Sequence, residues 1–475
     1  MDRSDDREAF VDEIAKNIYK DLPFSDQEKT ASARFQKLVE AAKDEKAGIK
    51  EDFHFSLAMR YKKEMEATEL FQKLKQMPKG ALLHHHLVSE IDPEWLVKKT
   101  YQENVYQRYV KRVRTASSNV LVFTKKPKED DKLVIGLRKD FGNPEEYDDS
   151  LRKTLSLQPQ EFDAALNNYE IWRKFIYTKY FFGNSLVSYT EFFKEHLKLL
   201  CEKYIAEGVY RFETRHCPGF LRDENEEPVS IDKEAQIIIE VIDEVKKTHP
   251  HFSFGIICEV YRSLTSEEFK KRTHNAYYLK SLAPEIVVGL DFDGDEDNFK
   301  RLKELAPLIK EVTKECEEKY KCTLPLILHC GESIIYSNEN IIDALILNVK
   351  RIGHGINIIK YPLLMSELKK RDICIEINPI SNQTLKLVRD LRMHPAATYL
   401  NNGMPIAISG DDPTTYNTSG VTYDFFVAVL SYEWTLKDLK LVCLNSIRYS
   451  ETDTTEKKKM EELFLKNWQT FIESL

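Results

Sequence analysis

Short apolar runs alternate with longer amphipathic segments along most of this chain, and each kind of run predicts its own element. Runs at 80–83, 208–214, 252–260, 286–291, 324–329, 351–354, 373–378 and 404–409 are apolar, bounded by turn or polar residues, and read as strands. Segments such as 233–247, 297–320 and 436–449 place apolar residues at helical spacing between them. Eight strand-type runs separated by helices predict a (β/α)8 TIM-type barrel over 76–475. A doubly wound sheet is the structural competitor. Residues 1–75 follow a different pattern. They are highly charged, and apolar positions such as Phe35, Leu38, Val39 and Ala42 recur at helical spacing, which predicts an N-terminal extension of two or three helices. The stretch from about 97 to 205 is too long for one βα unit. It reads as an insertion after the first strand, over about 100–165, followed by aromatic helices.

Composition narrows the partners. Hydrophobic residues make up 42% of 475 positions, enough for a sizeable core, and the net charge is −8. Phosphate backbones require clustered Lys and Arg, so a nucleic acid is not expected as a partner. No run of about 18 apolar residues predicts a membrane span. The segment MDRSDDREAF is charged where a secretory leader would be apolar. The eight cysteines all lie at or beyond Cys201 and form no CxxC pair, which predicts buried thiols and a cytoplasmic, reducing location.

The polar residues that end these apolar runs carry the chemistry. His84 and His86 flank His85 on an extended segment, so alternation puts His84 and His86 on one face and His85 on the other. His329 closes the run LPLILH, and Asp411 follows PIAISG. Three histidines and one aspartate make a shell suited to Zn²⁺, one per subunit, with a position left for water. Glu332 lies three residues after His329. His354 stands between two glycines in RIGHG, and Asp412 adjoins Asp411. Taken singly, Glu332 and Asp412 could be helix caps and His354 a core histidine. Their joint occurrence on successive strand ends reads as a site. A second HxH, His249 and His251, encloses Pro250 and reads as structural.

With HxH, HCGE, RIGHG and SGDDP placed, the chain resembles the adenosine deaminase superfamily, and within it the adenosine deaminase-related growth factor group. The further stretches are MPKGALLHHH, RFETR, THPHF, VVGLDFDGDED, EINPISNQTLKLVRDLRMHPAA, YDFF and LNSIRYS. The resemblance implies hydrolytic deamination of a purine nucleoside such as adenosine, with a zinc ion held by His84, His86, His329 and Asp411. It also implies that Glu332 donates a proton at purine N1, and that His354 accepts a proton from the attacking water or orients it. Asp412 would bond N7, the Gly294 backbone would approach N3, and Trp172 would wall the nucleoside pocket. A homodimer formed through residues 1–75 is implied as well. The alternatives are another metal-dependent amidohydrolase on the same barrel, or a non-catalytic growth-factor-like signalling protein.

Three features depart from the resembled group. That group carries an aspartate just after the second histidine of HxH, reaching the ribose, where this chain has Leu87 and Val88; Glu90 and Asp92 are the nearest carboxylates. Tyr261 stands where the group has a histidine before Arg262, the charged start does not read as the group's secretory leader, and the insertion carries no cysteine. Asn-x-Ser/Thr triplets at Asn382 and Asn417 read as accidental.

Overall fold

The computed structural model describes residues 4–20, 22–110, 118–178 and 184–475. Eight parallel strands form its centre: β1 (Gly80–Leu82), β2 (Val209–His216), β3 (Ser253–Tyr261), β4 (Val287–Asp293), β5 (Ile327–Cys330), β6 (Arg351–His354), β7 (Cys374–Ile377) and β8 (Ile406–Ile408). They pair in chain order as two four-stranded halves. Bridges between Leu290 and Leu326, and between His85 and Asp411, join the halves at both edges and close the barrel. The eight strand runs read from the sequence are these eight strands, with ends moved by up to three residues. The doubly wound alternative is excluded by the closure.

Ser266–Leu282 and Leu302–Tyr320 typify the helices that alternate with the strands. Ser266–Leu282 starts from a capping box: the Thr265 hydroxyl accepts the Glu268 N–H, and the Glu268 carboxylate returns to the Thr265 N–H. The last helices, Thr422–Ser431, Leu436–Arg448 and Thr454–Ser474, complete the outer layer.

Between β1 and β2 the chain builds a three-stranded antiparallel sheet, Val105–Val110 with Ser118–Phe123 and Lys132–Leu133. Trp95, Leu121, Leu151 and Phe192 give this region an apolar cluster of its own.

The N-terminal helices divide into two groups. Asp26–Lys43 opens at a Ser25–Glu28 capping box and buries Ala31, Phe35, Val39 and Ala42, one helix face. Glu28 then bonds across to the C-terminal helices, accepting from Lys440 Nζ at 2.7 Å and Trp468 Nε1 at 2.8 Å. The preceding helix, Ser4–Ile18, does not bury its apolar side, and Phe10 (67%), Val11 (49%) and Ile14 (51%) stand exposed.

Candidate metal centre

The chemistry gathers at the C-terminal ends of the strands, where a parallel barrel exposes its βα loops. After β1 the chain runs extended through His84, His85 and His86. The His84 carbonyl accepts the Asp411 N–H at 3.1 Å, and the Asp411 carbonyl accepts the His86 N–H at 3.1 Å. This pairing sets the strand-1 and strand-8 segments side by side. His84, His86, His329 and Asp411 come together, with ligand atoms all within 4.8 Å of one another.

Each histidine is oriented from behind by a carboxylate. His84 Nδ1 meets Glu376 Oε2 at 2.7 Å, His86 Nδ1 meets Glu259 Oε2 at 3.0 Å, and His329 Nδ1 meets Asp291 Oδ2 at 2.6 Å. An ionised carboxylate only accepts, so each ring carries its proton on Nδ1 and turns an unprotonated Nε2 inward. Burial pushes His329 down to about 3, which keeps its ring neutral. The inward nitrogens lie 3.1 Å apart for His84 and His329, and 3.3 Å apart for His86 and His329. Asp411 Oδ1 is 3.4 Å from both His84 Nε2 and His86 Nε2, and it is buried without a hydrogen bond. Lone pairs and an anionic oxygen aimed at one point repel one another unless a cation lies between them. Donors about 3.3 Å apart also match the edge of a tetrahedron with ~2.0 Å metal–nitrogen bonds. The residues present therefore fit a divalent metal.

The carboxylates are themselves neutralised. Arg215 donates to Asp291 at 3.1 Å and to Glu376 at 2.8 Å. Arg351 donates to Glu376 and to Glu213, both at 2.7 Å. Arg211 closes the row on Glu213 at 2.7 Å. All six residues are buried. Burial alone would raise Glu376, but Arg215 and Arg351 outweigh it and hold the carboxyl well below the usual range. Sequence reading missed this support, although Glu259, Asp291 and Glu376 are carboxylates inside largely apolar strands.

The remaining polar groups line the same mouth. The Glu296 carboxylate accepts the Gly331 N–H at 3.2 Å and the Glu332 N–H at 2.9 Å, fixing the turn that carries Glu332. Glu332 Oε1 is 3.8 Å from His354 Nδ1. His354 and Asp411 both hold the left-handed backbone region, at φ 64° and 60°. Non-glycine residues pay about 1–3 kcal/mol for such conformations, which cluster at functional sites. Asp411 Oδ2 accepts from Ser381 Oγ at 2.6 Å, and the Tyr416 hydroxyl reaches Asp411 at 3.3 Å and Asp412 at 3.4 Å.

Gly294 and Trp172 lie outside this cluster. Gly294 follows β4 with φ 118°. Trp172 packs on Phe175 at 5.2 Å, and Phe175 stacks on Tyr416 at 6.0 Å, so the indole is two rings away from the aspartates. His85 faces away from the metal cluster: its Nε2 accepts the Gly410 N–H at 3.3 Å, and its Nδ1 meets Tyr204 Oη at 3.2 Å. Glu90 belongs to this rear group, bonded to Tyr204 and, at 2.9 Å, to Lys203. Asp92 caps the helix Pro93–Lys99 through the Trp95 N–H at 2.8 Å. Leu87 is fully buried in the main apolar core. Asn382, one of the two triplet asparagines, is fully buried as well.

Known proteins place this architecture. Solved structures with the same fold include the adenine deaminase of Arthrobacter aurescens (TM-score 0.58, 17% identity, 82% of this chain and 98% of that one). The N6-methyl-AMP deaminase of Arabidopsis thaliana is similar (TM-score 0.59, 17% identity, 83% and 98%). At these identities the likeness concerns the fold. Sequence relatives reach further. Adenosine deaminase 2 of Sus scrofa is 33% identical over 472 residues, covering 96% of this chain and 90% of that protein. Adenosine deaminase 2 of Dictyostelium discoideum is 33% identical over 419 residues, covering 86% and 76%. The adenosine deaminase family profile matches residues 144–467. With relatives aligned along nearly its whole length, this chain belongs to the adenosine deaminase family.

Proposed function

We propose that this protein hydrolyses adenosine to inosine and ammonia, using one zinc ion held by His84, His86, His329 and Asp411. The observation that carries the reading is the convergence of three carboxylate-backed histidines and Asp411 beside Glu332, His354 and Asp412. Zinc is the ion this donor set favours, and when bound it would lower the pKa of water toward neutrality. The protein's own groups supply the rest. Glu332 stands on a rigid turn and donates a proton to ring N1, relieving the charge that attack on the amine-bearing carbon builds up. Asp412, in its protonated form, donates a hydrogen bond to N7, which can only accept, and His354 faces the attacking oxygen. Gly294 and Trp172 border the base and the nucleoside at the rim. Purified protein with adenosine tests the reading: the ultraviolet absorbance of the purine ring should change as ammonia appears, and a preparation loaded with zinc that leaves adenosine intact would refute it.

The sugar end of the pocket is expected to be indifferent to the 5′-hydroxyl. Leu87 offers no acceptor, Glu90 is engaged by Lys203 and Tyr204, and Asp92 caps a helix. 5′-Deoxyadenosine should therefore show kcat/KM within a few-fold of adenosine. A site built to bond that hydroxyl would reject the deoxy analogue by about 10²-fold or more, and such a ratio would overturn the expectation.

We also propose a homodimer, with residues 1–75 as its helical segment and 76–475 as the barrel. Phe10, Val11 and Ile14 on the helix Ser4–Ile18 are the surface offered to the partner. Deleting residues 1–20 should give a monomer by light scattering with an intact barrel. A dimer that survives the deletion counts against this surface.

A further inference from the structure

His354 Nε2 is buried without a hydrogen-bond partner, 4.0 Å from Asp411 Oδ2. Whether that nitrogen carries a proton decides what it can do. A bare Nε2 could take a proton from the attacking water, whereas an Nε2–H can only donate to it and aim it. The sequence leaves both roles open.

The answer lies behind the ring. The helix Ala396–Asn401 begins at Ala396, whose N–H has no carbonyl one turn back to bond. It donates instead to His394 Nδ1 at 3.1 Å. A backbone amide can only donate, so His394 Nδ1 is unprotonated and its proton is on Nε2. Burial holds the His394 ring neutral by pushing it down to about 3. Its Nε2–H donates to Asn382 Oδ1 at 3.0 Å. This orients the Asn382 amide, and its NH₂ faces His354 Nδ1 at 3.0 Å. The Asn378 NH₂ approaches the same nitrogen at 3.5 Å. The Asn382 donor aimed at Nδ1 leaves it no proton of its own. The opposite Asn382 orientation would need a proton on His394 Nδ1, where the Ala396 N–H already points. All four groups of the row are buried, and Tyr432 stacks on His394 at 5.3 Å, so no water competes for these bonds.

We propose that Asn382 and His394 are positioning residues that fix His354 as its Nε2–H tautomer, so that His354 aims the attacking oxygen while the water's proton passes to the Asp411 carboxylate, whose Oδ2 lies 4.0 Å from that Nε2, and not to His354. This rests on the functional reading above for the identity of the reaction, but the tautomer itself does not depend on it. Such fixation matters because a catalytic histidine held in the wrong tautomer can lose up to about 10⁴-fold in kcat.

The test uses three variants of the full chain. Asn382→Asp keeps the shape but offers only acceptors, so it draws the His354 proton onto Nδ1. His394→Gln keeps a donor to Asn382, and His394→Met removes it. Ring ¹⁵N spectra of histidine-labelled protein, with His354 assigned by its loss in His354→Gln, should show unprotonated Nδ1 and protonated Nε2 in the wild type, exchanged in Asn382→Asp. Asn382→Asp should lose at least about 10–100-fold in kcat, with KM for adenosine and metal content within about 3-fold. His394→Gln should stay within about 3-fold of wild type, and His394→Met should fall further. A wild-type His354 protonated on Nδ1, or an Asn382→Asp enzyme with unchanged kcat, overturns the proposal. If Asn382→Asp does not fold, the His394 pair decides, and equal losses in Gln and Met reject the relay. A wild type that fails to deaminate adenosine would instead remove the functional reading, while the ring spectra still report the tautomer.

Discussion

His329→Ala should yield a folded protein that retains no metal and shows no measurable deamination. The imidazole supplies the nitrogen that lies within 3.3 Å of both other histidine donors, so its loss opens the centre of the cluster. Removing an outer partner of a metal ligand costs about 10–100-fold in affinity, and removing the ligand itself should exceed that. The change also leaves Asp291 without the ring it faces at 2.6 Å, but Arg215 still neutralises that carboxylate. The structural cost is then the cavity and one lost hydrogen bond, a few kcal/mol, which a barrel of this size can absorb. Elemental analysis should give one zinc per wild-type chain and none per variant chain, with circular dichroism unchanged. Full metal occupancy in the variant would break the ligand assignment.

Glu332→Gln should separate chemistry from metal binding. Glutamine keeps the volume, and the backbone N–H that Glu296 holds is unaffected. The amide cannot give up a proton as a carboxylic acid does, so kcat should fall by at least ~10²-fold while metal content and KM stay close to wild type. A kcat near the wild-type value would exclude the proton-donor role. A fall in metal content would move Glu332 into the ligand set instead.

Much of this architecture was legible before any coordinates. The barrel was readable because its strands are short apolar runs and most are followed by helices, and those two periods do not mix. The convergent donors were readable because His84, His86, His329 and Asp411 end such runs, and a polar residue at a strand end in this fold faces the mouth. Strand ends shift by up to three residues, most at the start of β5, where Leu324, Pro325 and Leu326 are apolar but precede the regular pairing. Around β1 the backbone after Leu82 continues only through isolated bridges, His85 to Asp411 and His86 to Arg215, so apolar character outlasts the strand. The carboxylates behind the histidines were visible but uninterpreted, since a single Glu in a strand gives no hint of its partner. The Ala396–His394–Asn382 row could not be read at all. Its meaning depends on which nitrogen faces which donor, and that is a matter of three-dimensional direction. The fate of Glu90 was likewise hidden, because its partner Lys203 is chosen by the fold, whereas Asp92 before Pro93 is a local helix cap.

The arginine–carboxylate row beneath the histidines has a consequence for how the barrel finds its alignment. Arg211, Arg215 and Glu213 come from β2, Asp291 from β4, Arg351 from β6 and Glu376 from β7, so the row crosses the interior and ties both halves. A strand that slips by one residue turns its side chains to the opposite face. Apolar side chains survive such an error with modest loss, since the barrel has greasy surroundings on both faces. A stranded guanidinium or carboxylate does not, because an uncompensated buried charge costs about 3–5 kcal/mol. Mis-threaded barrels are thus penalised several times over, and the charges at the heart of this protein act as a proofreading code for its own assembly.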